Sequence, residues 1–126
     1  MSKIEMRVER TRSGYSAYAA KYSVATTGKN LQELKDHILE SLNLYFEEEG
    51  RIITEKDLRI SLDLPQFFEF YKVINAKALS ESIGMNQSLL AQYIGGTKQP
   101  SPSQTARILK GIQKIGRELA EIRFLI

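Results

Sequence analysis

The sequence contains no cysteine and only one histidine, His37. The lack of cysteine excludes disulfide bonds and thiolate metal sites, and it is typical of proteins in a reducing cytoplasm. A zinc site would have almost no ligands, so we expect neither a metal nor another cofactor. No apolar run reaches the roughly 18 residues that a membrane-spanning helix needs, and the N-terminus lacks the apolar core of a signal peptide. We therefore expect a soluble, cytoplasmic protein that contacts no membrane.

Excess positive charge is confined to the second half of the chain. Residues 1–64 carry ten Lys or Arg against eleven Asp or Glu, whereas residues 65–126 carry eight against four. This asymmetry favours a polyanionic partner for the second half. The length of 126 residues is enough for one ordinary domain or two very small ones.

The first half has the alternating pattern of β-strands. Residues 4–8 alternate apolar and charged side chains, and a turn signal at 11–14 leads into a second predicted strand at 15–20. A third short strand is predicted around Tyr22 to Ala25. Alternation returns at Leu58 to Leu64, which predicts a last strand with all four of its leucine and isoleucine side chains on one face.

Between these strands an amphipathic helix is predicted from Leu31 to about Glu49. Asn30 precedes it as a good N-cap residue, and Gly50 ends it in the usual C-terminal role. The order β-β-β-α-β predicts a small sheet domain over residues 1–64, with one helix covering the apolar face of the sheet. The predicted helix stripe consists of Leu31, Leu34, Ile38, Leu42, Tyr45 and Phe46.

Pro65 is the expected boundary, because no alternating run follows it and residues 65–126 are predicted to be wholly helical. The overall fold class is therefore α+β. Within the helical part, Asn75 is suited to cap a helix over Ala76–Ile83, and Asn86 to cap another over Gln87–Ile94. Gly84 lies between them, in a position suited to positive φ. Two helices of this length joined by a tight glycine turn predict a helix-turn-helix motif, with inward-facing Leu79, Ile83, Met85, Leu90 and Tyr93 and a small residue, Ser80, where the helices cross.

If this motif is present, its second helix enters the DNA major groove. Glutamine presents the amide pair that bonds adenine bidentately, and serine contacts bases or phosphates. Backbone N–H groups at helix starts also bind phosphates. The predicted base-reading residues are Gln87, Ser88, Ala91 and Gln92, and the predicted phosphate contacts are Asn86, Lys98, Lys77 and Thr97. The alternative is an ordinary helical hairpin with solvated polar residues.

A final helix is marked by its start signals. Ser101 is the expected N-cap, Pro102 occupies the first helical position, and Gln104 completes a capping box. Whether this helix continues past Gly116 is left open by the sequence. The distal part of its apolar stripe is interpreted as a subunit contact, with core packing as the alternative. That stripe consists of Leu109, Ile112, Ile115, Leu119 and Ile122.

The chain resembles the HicB antitoxin family. The resemblance rests on the turn at 12–18, on the segment 25–31 that leads into the amphipathic helix, and on 75–102 with its Gly84 and its Lys98-Gln99-Pro100 exit. It implies a partial RNase-H-like β-β-β-α-β domain followed by a lambda-repressor-like helix-turn-helix domain. It also implies that the first domain blocks a small HicA-like toxin ribonuclease and that the second represses the operon.

Catalysis is not expected. An RNase H site needs several carboxylates that converge on divalent metal ions, whereas Glu5, Glu9 and Asp63 alternate with apolar residues and are predicted to lie on the outer face of the sheet. His37 has no plausible nucleophile near it in sequence. A nuclease with a degenerate site is therefore the weakest of three hypotheses.

The leading hypothesis is an antitoxin and autorepressor that binds operator DNA as a homodimer or higher homo-oligomer, because one recognition helix reads too few bases. Its sheet domain would bind a basic toxin through an acidic surface that includes Glu47, Glu48 and Glu49. The remaining hypothesis is a stand-alone repressor whose first domain senses a ligand or oligomerises.

Overall fold

The computed structural model describes residues 3–126, and the chain divides into two compact units, Met1–Phe70 and Tyr71–Ile126. The predicted α+β class is confirmed, since the described residues form one four-stranded sheet and five α-helices. Within these residues every helix is too short or too polar to cross a membrane.

The first unit is a mixed sheet with a helix against it. Its elements are β1 (Ile4–Thr11), β2 (Gly14–Ala19), β3 (Ala25–Gly28), α1 (Leu31–Tyr45), β4 (Leu58–Leu62) and α2 (Leu64–Phe70). The strand order is β3-β2-β1-β4, in which β2 pairs antiparallel with β1 and β3, and β4 pairs parallel with β1. The parallel strands β3 and β4 lie at opposite edges of the sheet and need a crossover connection, which α1 supplies.

The core of the first unit lies between α1 and the inner face of the sheet. Met6 of β1 and Ile38 and Leu42 of α1 are fully buried there. The helix comes close to β3 because Gly28 has no side chain. A Cβ at Gly28 would lie 2.6 Å from the Cα of Leu34. The predicted apolar stripe of α1 is thus confirmed at Leu34, Ile38, Leu42 and Phe46, whereas Leu31 and Tyr45, which were also predicted to belong to it, are exposed.

The third strand lies further along the chain than predicted. It occupies Ala25–Gly28, not Tyr22 to Ala25. Val24 turns into the core. The Tyr22 ring packs edge-on against Phe46, with ring centroids 5.0 Å apart, and the Val24 carbonyl accepts the backbone N–H of Ala19 at 2.9 Å. Residues 22–24 therefore form the turn that leads into β3.

The predicted end of α1 is also corrected. The α-helix ends at Tyr45, and Glu47–Glu49 form a separate 3₁₀ turn. Phe46 is buried between the two. Gly50 follows in the left-handed conformation, with φ 67°. The expected role of glycine at the end of this segment therefore holds, although the last turn is not α-helical.

The predicted apolar face of the last strand is covered only in part. Leu58 is buried, whereas Ile60 is 54% exposed. β4 is an edge strand, and α1 lies mainly against β3 and β2, which are towards the opposite edge of the sheet. The alternation is therefore present in β4 as far as Leu62, where the strand ends and not at Leu64 as predicted, and Ile60 in the middle of its inner face is left uncovered by the described residues.

The first unit extends past Pro65, where the sequence placed the boundary. The unit ends at Phe70, because α2 packs against β1. The Gln66 side chain accepts a hydrogen bond from the Arg10 backbone N–H at 2.8 Å and donates one to the Arg10 carbonyl at 2.5 Å. The Gln66 side chain thus makes the hydrogen bonds with β1 that a neighbouring strand would make beyond the end of β4. These bonds hold α2 against the sheet.

The second unit is helical. It contains α3 (Ala76–Ile83), α4 (Gln87–Gly95) and α5 (Pro102–Ala120), followed by a 3₁₀ turn at Glu121–Leu125. The helix α5 continues without a break past Gly116, which answers the question that the sequence left open. Ser101 caps α5 as predicted, since its hydroxyl accepts the backbone N–H of Gln104 at 3.2 Å.

Candidate functional site

The turn between α3 and α4 has the local geometry that its residues predict. The Asn75 side chain accepts the N–H of Ala78 at 3.0 Å, so α3 begins with a satisfied cap. Gly84 ends α3 in the left-handed region, with φ 66° and ψ 32°. The Met85 N–H then reaches back to the Ser80 carbonyl at 2.9 Å. This bond reverses the chain tightly and directs it into α4.

Side chains from both helices are buried beneath this turn. Leu79, Met85, Leu90 and Tyr93 are each at most 6% exposed. Ile83, the fifth residue predicted to face inward, is half-buried. The burial pattern predicted from the sequence is therefore confirmed at four positions and partly at the fifth.

Ser80 lies in the same core and is the single buried polar residue of the part that the structure describes. Its hydroxyl donates to the Lys77 carbonyl at 2.6 Å, so burying it leaves no unsatisfied donor. A small side chain is present at this position, as the predicted crossing of the two helices requires.

Arg107 of α5 fixes the end of α3, a role that the sequence did not suggest. Its guanidinium donates to the Ile83 carbonyl at 2.8 Å from Nη2 and to the Gly84 carbonyl at 2.7 Å. These carbonyls are among those left without partners at a helix C-terminus, where positive charge is favourable. The two groups are 24 residues apart in sequence, so no local pattern could have paired them.

One face of α4 is left open to solvent. Gln87, Ser88, Ala91 and Gln92 are all exposed. They share the side of α4 opposite Leu90 and Tyr93. This face can therefore contact a partner without any rearrangement of the core.

The oxygen and the NH₂ group of the Asn86 side chain have different roles at the start of α4. Its Oδ1 accepts the N–H groups of Ser88 at 2.8 Å and Leu89 at 3.2 Å. These two N–H groups are therefore occupied by the cap. The side-chain NH₂ group of Asn86 is the part that remains suited to donate to an anion.

The segment after α4 is folded back onto the helix. Gly96 has φ 80°, and the Gln92 carbonyl accepts the N–H groups of Thr97 at 3.0 Å and Lys98 at 3.2 Å. The Thr97 hydroxyl donates to the same carbonyl at 3.2 Å, so Thr97 holds this loop and its hydroxyl proton is used inside the chain. The Lys98 ammonium is left at the end of α4.

Two lysines of the second unit have no carboxylate partner in the described part of the chain. Lys77 and Lys98 are both exposed, and neither forms an ion pair within residues 3–126. Long cationic side chains without a carboxylate partner are available to phosphate oxygens. The second unit thus contains a polar, exposed helix face on α4, a lysine directly after that helix and another on α3.

The acidic residues considered for a protein partner lie in the first unit. Glu47, Glu48 and Glu49 are exposed on the 3₁₀ turn that follows α1. They share one turn of chain, so their charges lie close together at the surface. The structure places them on one side of the first unit, and nothing in its fold requires three carboxylates there.

A basic cleft, which the sequence did not reveal, lies at one end of the sheet. It encloses about 440 Å³ and is lined by Lys3, Lys21, Arg59, Glu5 and Tyr22, with Ile4 and Ala20. The one carboxylate, Glu5, already faces the Arg7 guanidinium at 3.6 Å. The cleft joins residues from three strands or strand ends, which explains why no local pattern indicated it.

Two of the three carboxylates weighed for catalysis, Asp63 and Glu5, have structural partners. Asp63 accepts the Gln66 N–H at 3.1 Å and so begins α2, and Glu5 pairs with Arg7. His37 Nδ1 lies 2.6 Å from the Thr27 carbonyl, which ties α1 to β3. Among residues 3–126 no three His, Asp or Glu side chains converge as a metal-binding group.

Comparison of the chain with protein-family models, with curated proteins and with solved structures finds no match. The functional interpretation of this site therefore depends on its own geometry and charge.

Proposed function

We propose that the protein is a DNA-binding antitoxin that represses its own operon, and that α3 and α4 form a helix-turn-helix motif. The observation that carries this proposal is the two-sided character of α4. One side is sealed into the core by Leu90 and Tyr93, and the other presents Gln87 and Gln92 to solvent. A short helix whose polar face carries amide side chains fits the major groove and its donor and acceptor pattern.

The charges around α4 support the same proposal. Lys77 and Lys98 would bind phosphates on either side of the groove, and the Asn86 amide would donate to a third. Such contacts fix the orientation of the protein on DNA, while Gln87 and Gln92 read bases, assisted by Ser88 and Ala91. Thr97 would contribute by holding the loop that carries Lys98.

The first unit would serve as the toxin-binding part of the antitoxin. Its order of elements is the β-β-β-α-β order that the HicB resemblance implies, and we take it as a partial RNase-H-like domain. Its exposed Glu47, Glu48 and Glu49 would contact a small, basic HicA-like toxin. Co-expression with the neighbouring reading frame tests this part: the proposal requires a stable complex that Glu47→Lys together with Glu49→Lys weakens.

The DNA-binding part is tested by selection from a random duplex library. We expect the full chain to enrich one sequence and the Gln87→Ala, Gln92→Ala double variant to lose that preference, because each bidentate pair contributes roughly 1–3 kcal/mol of discrimination. The matched control removes two exposed glutamines elsewhere, Gln32 and Gln113. If the double variant enriches the same sequence as the control, the assignment of α4 is wrong.

The phosphate contacts have a separate readout. Lys77→Ala and Lys98→Ala should each weaken binding to every sequence alike and reduce the slope of log affinity against log salt by about 1. An unchanged slope would remove that lysine from the interface without affecting the assignment of α4.

A second candidate function is supported by the basic cleft. A volume of about 440 Å³ lies in the range of small-molecule sites, and its lysines and arginine suit an anionic metabolite. The protein would then be a stand-alone repressor that senses such a ligand. The two functions separate in one comparison: a ligand sensor changes its DNA affinity when an anionic ligand is added, and an antitoxin does so when its toxin is added.

A further inference from the structure

The basic cleft gathers cations from three separate segments of the first unit. Lys3 precedes β1, Lys21 follows the end of β2, and Arg59 lies near the start of β4. These positions come to one end of the sheet because β2 runs antiparallel to β1 and β4 runs parallel to it. The pairing of the strands therefore determines that the three positive charges line the same cleft.

Hydrogen bonds hold the backbone of the cleft in place. The Ala20 N–H donates to the Glu5 carbonyl at 3.0 Å, just beyond the last residue of β2. In β4, Arg59 is the register partner of the same Glu5. The three segments are thus fixed side by side before a ligand arrives, and a site whose backbone is already ordered loses less entropy on binding.

The positive charge of the cleft is not balanced within the described residues. Lys3, Lys21 and Arg59 are all exposed, and none of them forms an ion pair within residues 3–126. The carboxylate of the cleft, Glu5, already faces the Arg7 guanidinium at 3.6 Å. Since residues 1–64 as a whole carry eleven Asp or Glu against ten Lys or Arg, this excess of positive charge is a local feature of the cleft.

One wall of the cleft is an aromatic ring that is held from behind. The Tyr22 ring packs edge-on against Phe46 and Tyr45, with ring centroids 5.0 Å and 5.7 Å away. Ile4 and Ala20 also belong to the lining. The volume of about 440 Å³ lies in the range of small-molecule sites. The cleft therefore suits a ligand that has an organic part beside its charged group.

We propose that the basic cleft binds a small organic phosphate monoester. A phosphate monoester carries a charge of about −1.5 to −2 at pH 7 and three strong acceptor oxygens, whereas a carboxylate has a single charge and two oxygens. The arginine fork can bond two phosphate oxygens, and the lysines act as point charges. Lys3, Lys21 and Arg59 hold the phosphate group, and the organic part lies against the wall that contains Tyr22.

The phosphate site rests on the second candidate function only for its biological role, which is to signal to the DNA-binding unit. Binding of the ester is measured without DNA and without a toxin. A protein that selects an operator but binds no phosphate ester would contradict the site alone. The Gln87→Ala, Gln92→Ala double variant should bind the ester normally, even if it loses its preference for one DNA sequence.

The experiment is isothermal titration calorimetry of the full chain at low ionic strength, where attraction between exposed charges is least screened. Glucose 6-phosphate, glucuronate and glucose are compared because they share a sugar ring and differ in the group at one carbon. We expect glucose 6-phosphate to bind at least about tenfold more tightly than glucuronate, and glucose not to bind. Adenosine monophosphate and adenosine repeat the comparison with a second organic part.

Two double variants assign the binding to the cleft. Lys21→Gln with Arg59→Gln should raise the dissociation constant of the phosphate ester by about tenfold or more. Arg12→Gln with Lys29→Gln is the matched control. It removes the same charge from exposed residues of the same unit, at the opposite end of the sheet where β1 meets β2 and β3 ends. The control should bind the ester normally, and circular dichroism should show both variants folded.

Amide chemical shifts supply a second readout of the position. Addition of adenosine monophosphate should shift the resonances of residues 3–5 and 20–22 in the unmodified protein. Shifts confined to residues 71–126 would place the phosphate in the second unit and would contradict the proposal.

Three calorimetric results would also overturn it. Equal affinity for phosphate esters and for their neutral counterparts would mean that the cleft does not recognise the phosphate group. Equal affinity for glucose 6-phosphate and glucuronate would remove the preference for phosphate over carboxylate. An equal loss of affinity in the two double variants would attribute binding to the overall charge of the unit.

Discussion

Each unit contains one long amphipathic helix, and the two helices have different surroundings. In α1, Leu34, Ile38 and Leu42 are at most 2% exposed. In α5, which is longer by four residues, Ile108 alone is fully buried, Ile112 and Ile115 are half-buried, and Leu119 near the end of the helix is 60% exposed. A three- and four-residue spacing therefore predicts which face of a helix is apolar, but not what covers it.

The difference follows from what lies opposite each helix. α1 packs across β2 and β3, and Gly28 lets the helix approach the sheet closely. α5 packs mainly against α3, which is only eight residues long. A 19-residue helix is about 28 Å long and an eight-residue helix about 12 Å, so α3 cannot cover the whole of α5, and every residue of α5 from Gly116 onward is exposed.

The largest expected difference in stability is between substitutions of Leu42 in α1, which is buried, and of Leu119 in α5, which is exposed. Leu42→Ala should destabilise the first unit by about 2–5 kcal/mol, because it leaves a cavity among fully buried side chains. Leu119→Ala should change the stability of the monomer by less than about 1 kcal/mol. Urea unfolding followed by circular dichroism, at a concentration where the protein is monomeric, measures both.

This difference between α1 and α5 is contradicted if Leu119→Ala lowers the free energy of unfolding of the monomer as much as Leu42→Ala does. That result would mean that Leu119 is buried within its own chain in solution. Unfolding must be analysed as two transitions if the units unfold separately, since a single free energy is defined only for a two-state change.

Local signals were sufficient for most of the helix boundaries. Asn30, Asn75, Asn86 and Ser101 each accept the backbone N–H groups expected of an N-cap, because capping depends on residues three positions apart. Gly84 likewise adopts the left-handed conformation that its position predicts. The polar face of α4 followed from the same short-range pattern.

Features that depend on distant residues could not be predicted. Ile108 is a central core residue of the second unit, but its burial depends on α3, more than twenty residues earlier. Ile60 alternates correctly and is still exposed, because β4 lies at the sheet edge. Gln66 belongs with the first unit since it bonds to Arg10, 56 positions away. Periodicity contains no information about any of these partners.

The second prediction concerns the close contact between Gly28 of β3 and Leu34 of α1. Gly28→Ala should destabilise the first unit by roughly 1–3 kcal/mol, because the new methyl group meets the backbone of Leu34, which cannot move aside as a side chain would. Thermal unfolding measures the effect. Gly95→Ala is the control, since nothing lies within 4 Å of a Cβ at that position. Equal changes in melting temperature for the two variants would show that α1 does not require the close contact at Gly28.

The smallest expected effect is a gain in stability in the open half of α5. Gly116 lies inside a continuous helix, and a Cβ there would meet no atom within 4 Å. Gly116→Ala should therefore stabilise α5 by roughly 0.5–1 kcal/mol, because alanine loses less backbone entropy than glycine when it enters a helix. Amide hydrogen exchange along residues 112–120 measures this locally. Residues 116–120 are all exposed, so the protection of this last part of α5 should respond mainly to helix propensity. Unchanged protection would mean that other contacts already hold the distal half of α5, and the contrast with α1 would then be smaller than the exposures indicate.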